Sequence, residues 1–261
     1  YRPSPELDAD DPGGSALAHV RVLLESEGGG AVGAVIVEPI QGRGGDIVPP
    51  TGFLRGLADL CRERGLLLIL DEIYTGLGRA GSWFACEDEG VVPDLLCVGK
   101  ALSGTLPIAA CIGSRDVMES WPTSSGEAIH TSTFLGNPLA CAAGLASLGE
   151  IKRRGLVERS ASEGERWLAE LRATLGKHKA VGDVRGRGLM IGIDLVVDPS
   201  SREPDPQLGG RVVIEALRGG WIVLAGGPAG NVISLSPPLS LSRELMRAAT
   251  RLLDETIGAA C

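Results

Sequence analysis

No two cysteines in this 261-residue sequence are spaced CxxC, so neither a zinc-ribbon site nor a redox motif of that kind is expected. Cys61, Cys86, Cys97, Cys111, Cys141 and Cys261 are scattered, several inside apolar runs. They read as reduced, packed thiols, and no metal is expected. No run approaches the roughly 18 to 20 apolar residues of a membrane span, and no signal peptide is expected. The cytoplasm is therefore the expectation, with no membrane partner. Positive charge is also in short supply: 25 Lys and Arg face 33 Asp and Glu, a net charge of −8. An acidic surface repels phosphate backbones, which argues against a nucleic-acid partner. There is no tandem repeat of fixed period and no GxGxxG after the first apolar run, which sets a stand-alone Rossmann-type nucleotide binder aside.

With 44% hydrophobic residues the chain can bury one large core or two smaller ones. Residues 1–15 are acidic and rich in Pro and Gly, a loop-like opening, and a short helix is expected over 15–27. Residues 31–38 (AVGAVIVE) and 66–70 (LLLIL) are apolar runs of strand length. Runs apolar at every position suit strands buried on both faces. Between them Phe53, Leu57, Leu60 and Cys61 share one helical face. Strand, helix, strand predicts a parallel sheet with a right-handed crossover. Further strands are expected at 94–98 and 106–112, with a long Ala-rich helix over 137–153. After a charged helix at 156–175, short strands at 181–185, 189–197, 221–225 and 232–235 and helices at 209–217 and 242–257 describe a small α+β unit. The expected division is residues 1–150 and 151–261.

Two polar residues stand out at strand ends. Asp71 follows the second apolar run, where parallel α/β sheets place ligand sites; alternatively it, or Glu72, caps the following turn. Lys100 follows the third strand in CVGKALSG, among small residues that let a flat ligand approach the backbone. Its competing reading is an exposed lysine that opens a helix. A Walker phosphate loop is excluded, since Asp94 occupies the position where its first glycine is required.

Six segments together carry a family resemblance: VEPIQGRGG (37–45), LDEIYTGLGRAG (70–81), PDLLCVGKALSGTLPIAA (93–110), HTSTFLGNPLACAAGLA (130–146), VRGRGLMIGIDL (184–195) and ISLSPPLSLS (233–242). In this order they resemble the class III, ornithine and 4-aminobutyrate type, aminotransferases of pyridoxal-phosphate (PLP) fold type I, nearly end to end. Asp71 and Lys100 stand 29 residues apart, the separation that family's pair is expected to show. The resemblance implies an α/β large domain with a mostly parallel sheet flanked by helices, incomplete here, plus a small C-terminal α+β domain. It implies PLP as cofactor, an amino donor and a 2-oxo acid acceptor as small-molecule substrates, a ping-pong Schiff-base mechanism, and a homodimer with shared sites.

Carried over residue by residue, Lys100 would anchor the cofactor and serve as general base. Asp71 would keep the ring nitrogen protonated. Ile73 would pack on the ring, or be ordinary core. Tyr74, where many relatives have Gln, would hydrogen-bond the ring hydroxyl, or be a turn residue. Thr133 would contact the cofactor phosphate of the partner subunit, or cap the helix opening at Asn137. Gln41 and Glu38 match positions beside the cofactor loop, Glu38 alternatively being an internal hydrogen-bonding group near Arg79.

Two departures concern substrate choice. Arg43 stands where ornithine-type relatives carry Glu, and Ser234 where they carry Arg, so Arg43 would bind a substrate carboxylate from the opposite side, or be a solvated loop residue. The family's Gly/Ser-rich phosphate loop, its ring-stacking aromatic and its first strands have no counterpart in this sequence, and the expectation is that the N-terminal part is missing. Aminomutase, racemase and decarboxylase chemistry on the same scaffold, or a catalytically silent fragment, are the alternative readings.

Overall fold

The structure is a computed structural model that describes residues 11–26, 29–126 and 130–260. Helix α1 (Pro12–Glu25) leads to strand β1 (Ala34–Val37), helix α2 (Phe53–Arg64), strands β2 (Leu67–Asp71), β3 (Leu95–Val98) and β4 (Ala110–Gly113), and a short helix α3 (Arg115–Glu119). Helices α4 (Pro138–Arg153) and α5 (Leu156–Leu175) then precede β5 (Val181–Arg187), β6 (Met190–Leu195), α6 (Pro206–Arg218), β7 (Leu224–Gly226), β8 (Val232–Leu235) and α7 (Arg243–Ala260).

The first sheet has the order β1-β2-β3-β4, parallel except for the β3–β4 pair, which is antiparallel. Its covered face rests on α2. Phe53, Leu54, Leu57, Ala58 and Cys61 are buried there, a helical stripe that meets Leu68 and Leu70 of β2. The helix stops at Gly65, whose φ of 66° is left-handed, and the Leu66 N–H closes back onto the Cys61 carbonyl at 2.8 Å. The expectation of burial on both faces is corrected for β1, whereas β2 has no exposed position. β1 alternates exposed and half-buried positions, with Ile36 64% exposed, because among the described residues helices cover one face only.

The second sheet is antiparallel throughout, order β5-β6-β8-β7. It packs on α5, α6 and α7 through Trp167, Leu171, Leu175, Val212, Leu253 and Ile257. The Trp167 indole N–H is satisfied by the Thr250 hydroxyl at 3.0 Å, as a buried donor requires.

Arginines join the two sheets. Arg185 of β5 donates twice to the Gly45 carbonyl (3.0 and 2.7 Å), and Arg79 donates to the carbonyls of Leu189 (2.9 Å) and Pro237 (2.6 Å). Between β5 and β6, a side chain at Gly188 would come within 2.5 Å of Ala80 and Gly81 backbone atoms, so only glycine lets these segments touch. The loops of the first sheet are thereby clamped against the second.

Three helices begin on the same device. Asp11, Asn137 and Asp205 each cap a helix whose first residue is proline, accepting from Gly14, from Leu139 and Ala140, and from Leu208 respectively. Helices α1 and α6 therefore start three residues earlier than expected from periodicity. The strand expected over 106–112 narrows to Ala110–Gly113, since Pro107 has no N–H to give a ladder.

Candidate active site

The C-terminal ends of β2 and β3 lie side by side, Asp71 in register with Cys97. The strand ends project Asp71 and, three residues beyond Cys97, Lys100 toward one region. Asp71 is half-buried, and its Oδ1 accepts the Ile73 N–H at 3.0 Å. It therefore does cap the following turn, as the plainer reading had it, with one oxygen. Its neighbour Glu72 turns the other way. Glu72 is fully buried and accepts from the N–H groups of Ala85 (3.0 Å) and Cys86 (2.9 Å) and from the Thr75 hydroxyl. That carboxylate fixes the 72–86 loop and holds Ile73 and Tyr74 at the strand end.

Lys100 opens a single 3₁₀ turn, Lys100–Leu102, with φ of +41°. A left-handed conformation costs a non-glycine residue on the order of 1 kcal/mol and gathers at functional sites. Its Nζ lies 4.5 Å from the centroid of the Tyr74 ring, a cation–π distance. Ile73, Tyr74, Arg79, Lys100, Ser147 and Ser236 line one cavity of about 310 Å³, within the size range of small-molecule sites. Asp71 is not part of that lining; it reaches it only through its bond to the Ile73 N–H.

Tyr74 is held from two sides. Its ring packs on Gly42, where a Cβ would come within 2.3 Å of the ring, and its hydroxyl is 3.5 Å from the Ser234 hydroxyl of β8. The 41–47 loop is closed by paired backbone bonds between Gln41 and Ile47 (3.0 and 3.1 Å) and by the Gly42 N–H on Glu38 at 3.0 Å. Glu38 is an internal hydrogen-bonding group, as its alternative reading had it; its partner is Gly42, while Arg79 is engaged with Leu189 and Pro237. Arg43 is exposed at the loop tip, one residue from the glycine under Tyr74, and makes no hydrogen bond or ion pair among the described residues. Thr133 is exposed in the turn before α4. It is not the cap of that helix, because the Asn137 side chain takes the Leu139 and Ala140 N–H groups at 3.0 and 3.2 Å.

Asp46 was not singled out from the sequence. It is fully buried, has φ of +54°, and neither carboxylate oxygen has a hydrogen bond of ordinary geometry among the described residues. Burial pushes its pKa up to about 6, partly offset by the Ser234 hydroxyl and the Arg185 guanidinium and increased by Glu38. The only signal in the sequence was an acidic residue set between Gly45 and the apolar Ile47-Val48.

Residues 7–257 match the class-III aminotransferase family model. The chain belongs to the class-III aminotransferase family. It is 42% identical over 240 residues to a 4-aminobutyrate aminotransferase of Mycobacterium leprae, covering 92% of this chain and 52% of that protein. It is also 38% identical to a leucine/methionine racemase of Thermococcus litoralis, over 87% of this chain and 50% of the other. Among solved structures, an amine transaminase from an uncultivated Pseudomonas species in its PLP-bound form superposes with a TM-score of 0.89 at 34% identity, over 97% of this chain and 58% of that one. This class-III chain thus has the α/β architecture of PLP fold type I and spans about half the length of the curated relatives it matches. Family members use PLP, and the residues here suit it: an amine, an aliphatic side chain and a phenol line one cavity of adequate size, and the Asp71 carboxylate is bonded to the backbone of the aliphatic residue.

Proposed function

We propose that this chain carries the lysine half of a PLP-dependent transaminase that moves an amino group from an amino acid or amine to a 2-oxo acid. The observation that carries the reading is Lys100, held in a left-handed conformation at the mouth of the cavity with its Nζ on the Tyr74 ring. Residues 1–150 are read as part of the cofactor-binding domain and residues 151–261 as the small domain, in keeping with two sheets that each have their own core.

When bound, PLP supplies an electron-withdrawing ring that stabilises negative charge on the substrate carbon bearing the amino group. Lys100 holds the cofactor through Nζ and, when freed, takes and returns the substrate proton. Asp71 holds a proton on the ring nitrogen by presenting a carboxylate. Ile73 shields a ring face, and Tyr74 donates a hydrogen bond to the ring hydroxyl. Thr133 binds the phosphate of a second subunit's cofactor. Arg43 takes a substrate carboxylate in a bidentate grip.

A homodimer is supported by apolar surface around α4, where Phe134, Leu139 and Leu145 are 77%, 69% and 73% exposed; patches of that kind mark interfaces. A cytoplasmic location is consistent with the absence, among the described residues, of any helix long and apolar enough to cross a membrane.

Racemisation is the second reading, favoured by the racemase relative. Incubating the protein with an L-amino donor, PLP and a 2-oxo acid separates the two. Transamination gives a new amino acid in step with loss of the donor, whereas racemisation gives only the D-enantiomer of the donor.

A further inference from the structure

Cys97 and Cys111 face each other directly across β3 and β4. The bonding pattern fixes which kind of antiparallel pair they form. Cys97 gives its carbonyl to the Glu72 N–H at 3.0 Å, on the β2 side. Across the β3–β4 ladder, the Ser114 N–H donates to the Asp94 carbonyl at 3.0 Å. Hydrogen-bonded and non-bonded pairs alternate along such a ladder. Counting from Asp94 and Ser114, the bonded pairs are Leu96 with Ile112 and Val98 with Ala110. Cys97 and Cys111 are therefore a non-bonded pair, the narrow kind, with Cα atoms about 4.5 Å apart and side chains on the same face.

A disulfide spans Cα separations of about 4.4 to 6.8 Å, and the separation typical of a non-bonded pair falls at the short end of that range. Both thiols are free, Cys111 exposed and Cys97 half-buried. Asp71 completes the row, in register with Cys97 on the other side. Burial, then the Cys111 thiol and the Asp71 carboxylate, push the Cys97 thiol's pKa up.

We infer that Cys97 and Cys111 form a dithiol modification site, which takes low-molecular-weight disulfides and becomes a cross-strand disulfide bracketing the segment that carries Lys100. The exposed Cys111 thiolate attacks one sulfur of the small disulfide. That S–S bond breaks, one small thiolate leaves, and Cys111 holds the other half as a mixed disulfide. Cys97, as thiolate, then attacks the Cys111 sulfur; the second small thiolate leaves and the Cys97–Cys111 bond forms. Two protein thiols are oxidised, one small disulfide is reduced, and the two protons end on the two small thiols. Exposure sets the order: Cys111 meets the small disulfide first. Residues 97–111 then form a closed ring containing Lys100. The site requires no bound cofactor, so it stands apart from the transaminase reading.

The test is incubation of the folded 261-residue protein in mixtures of oxidised and reduced glutathione, acid quench, alkylation with N-ethylmaleimide and peptide mass mapping. The expected result is a peptide linking Cys97 to Cys111, lighter by two hydrogens than its reduced parts and lost on dithiothreitol treatment. In Cys97→Ser, the glutathione adduct is expected to persist on Cys111, and in Cys111→Ser, Cys97 is expected to remain alkylatable. Recovery of both cysteines unlinked at every ratio, or linkage of Cys111 to a different cysteine, would overturn the inference.

Discussion

Asp46 lies fully buried beside Ser234, the residue whose hydroxyl is 3.5 Å from the Tyr74 phenol. A loop of the first sheet and a strand of the second thus meet directly behind the cavity wall. Where ornithine-type relatives are expected to have an arginine, this chain has a serine next to a carboxylate.

Burial of Asp46 has a pH consequence. Its folded-state pKa of about 6 lies above the ordinary 3.8, so the folded protein binds the proton more tightly than the unfolded chain. The contribution to stability is full below about pH 4 and is lost as pH rises through 6. Asp46→Asn, which tolerates the same left-handed backbone, is expected to stabilise the protein above pH 6 by about 3 kcal/mol at most, with no gain at pH 4. Urea unfolding across pH 4 to 8 checks this. Equal slopes for wild type and variant would remove Asp46 as the source.

Arg43 is exposed one residue from Gly42, on which Tyr74 packs. If it grips a substrate carboxylate, Arg43→Ala is expected to raise KM for an acidic acceptor such as 2-oxoglutarate about tenfold or more, with little change for pyruvate. A charge-assisted hydrogen bond of about 1.5 to 3 kcal/mol sets that scale. Steady-state kinetics with the two acceptors decide it, and equal effects on both would leave Arg43 a solvated loop residue.

Much of the site was legible because strand ends are legible. LLLILDE and LLCVGK are short apolar runs ending on a charge, and the structure puts Asp71 and Lys100 at the ends of neighbouring parallel strands. The helix starts at Pro12 and Pro206 were obscured because proline reads as loop punctuation, although at a first helical position it sacrifices no hydrogen bond. The left-handed backbone of Lys100, the burial of Asp46 and the meeting of Tyr74 with Ser234 depend on contacts far apart in the chain, and no local pattern carries them. The uncovered face of β1 was missed for a related reason: an apolar run records what a strand can bury, while its neighbours decide what is covered.

Asp71 offers a check on the cofactor's electronics. In Asp71→Asn the amide keeps the hydrogen bond to Ile73 N–H but cannot hold the ring nitrogen protonated. PLP is expected to remain bound, by its absorbance, while turnover falls by about a hundredfold or more. Turnover close to wild type would exclude Asp71 from the mechanism.

Everything proposed for the site depends on Lys100 being the residue that holds PLP. Its most direct test is to saturate the protein with PLP, reduce with borohydride, digest, and locate the phosphopyridoxyl group by peptide mass mapping. The label is expected on Lys100 in the wild type and is expected to be lost in Lys100→Ala. Label on Lys152, Lys177 or Lys179 in place of Lys100 would contradict it.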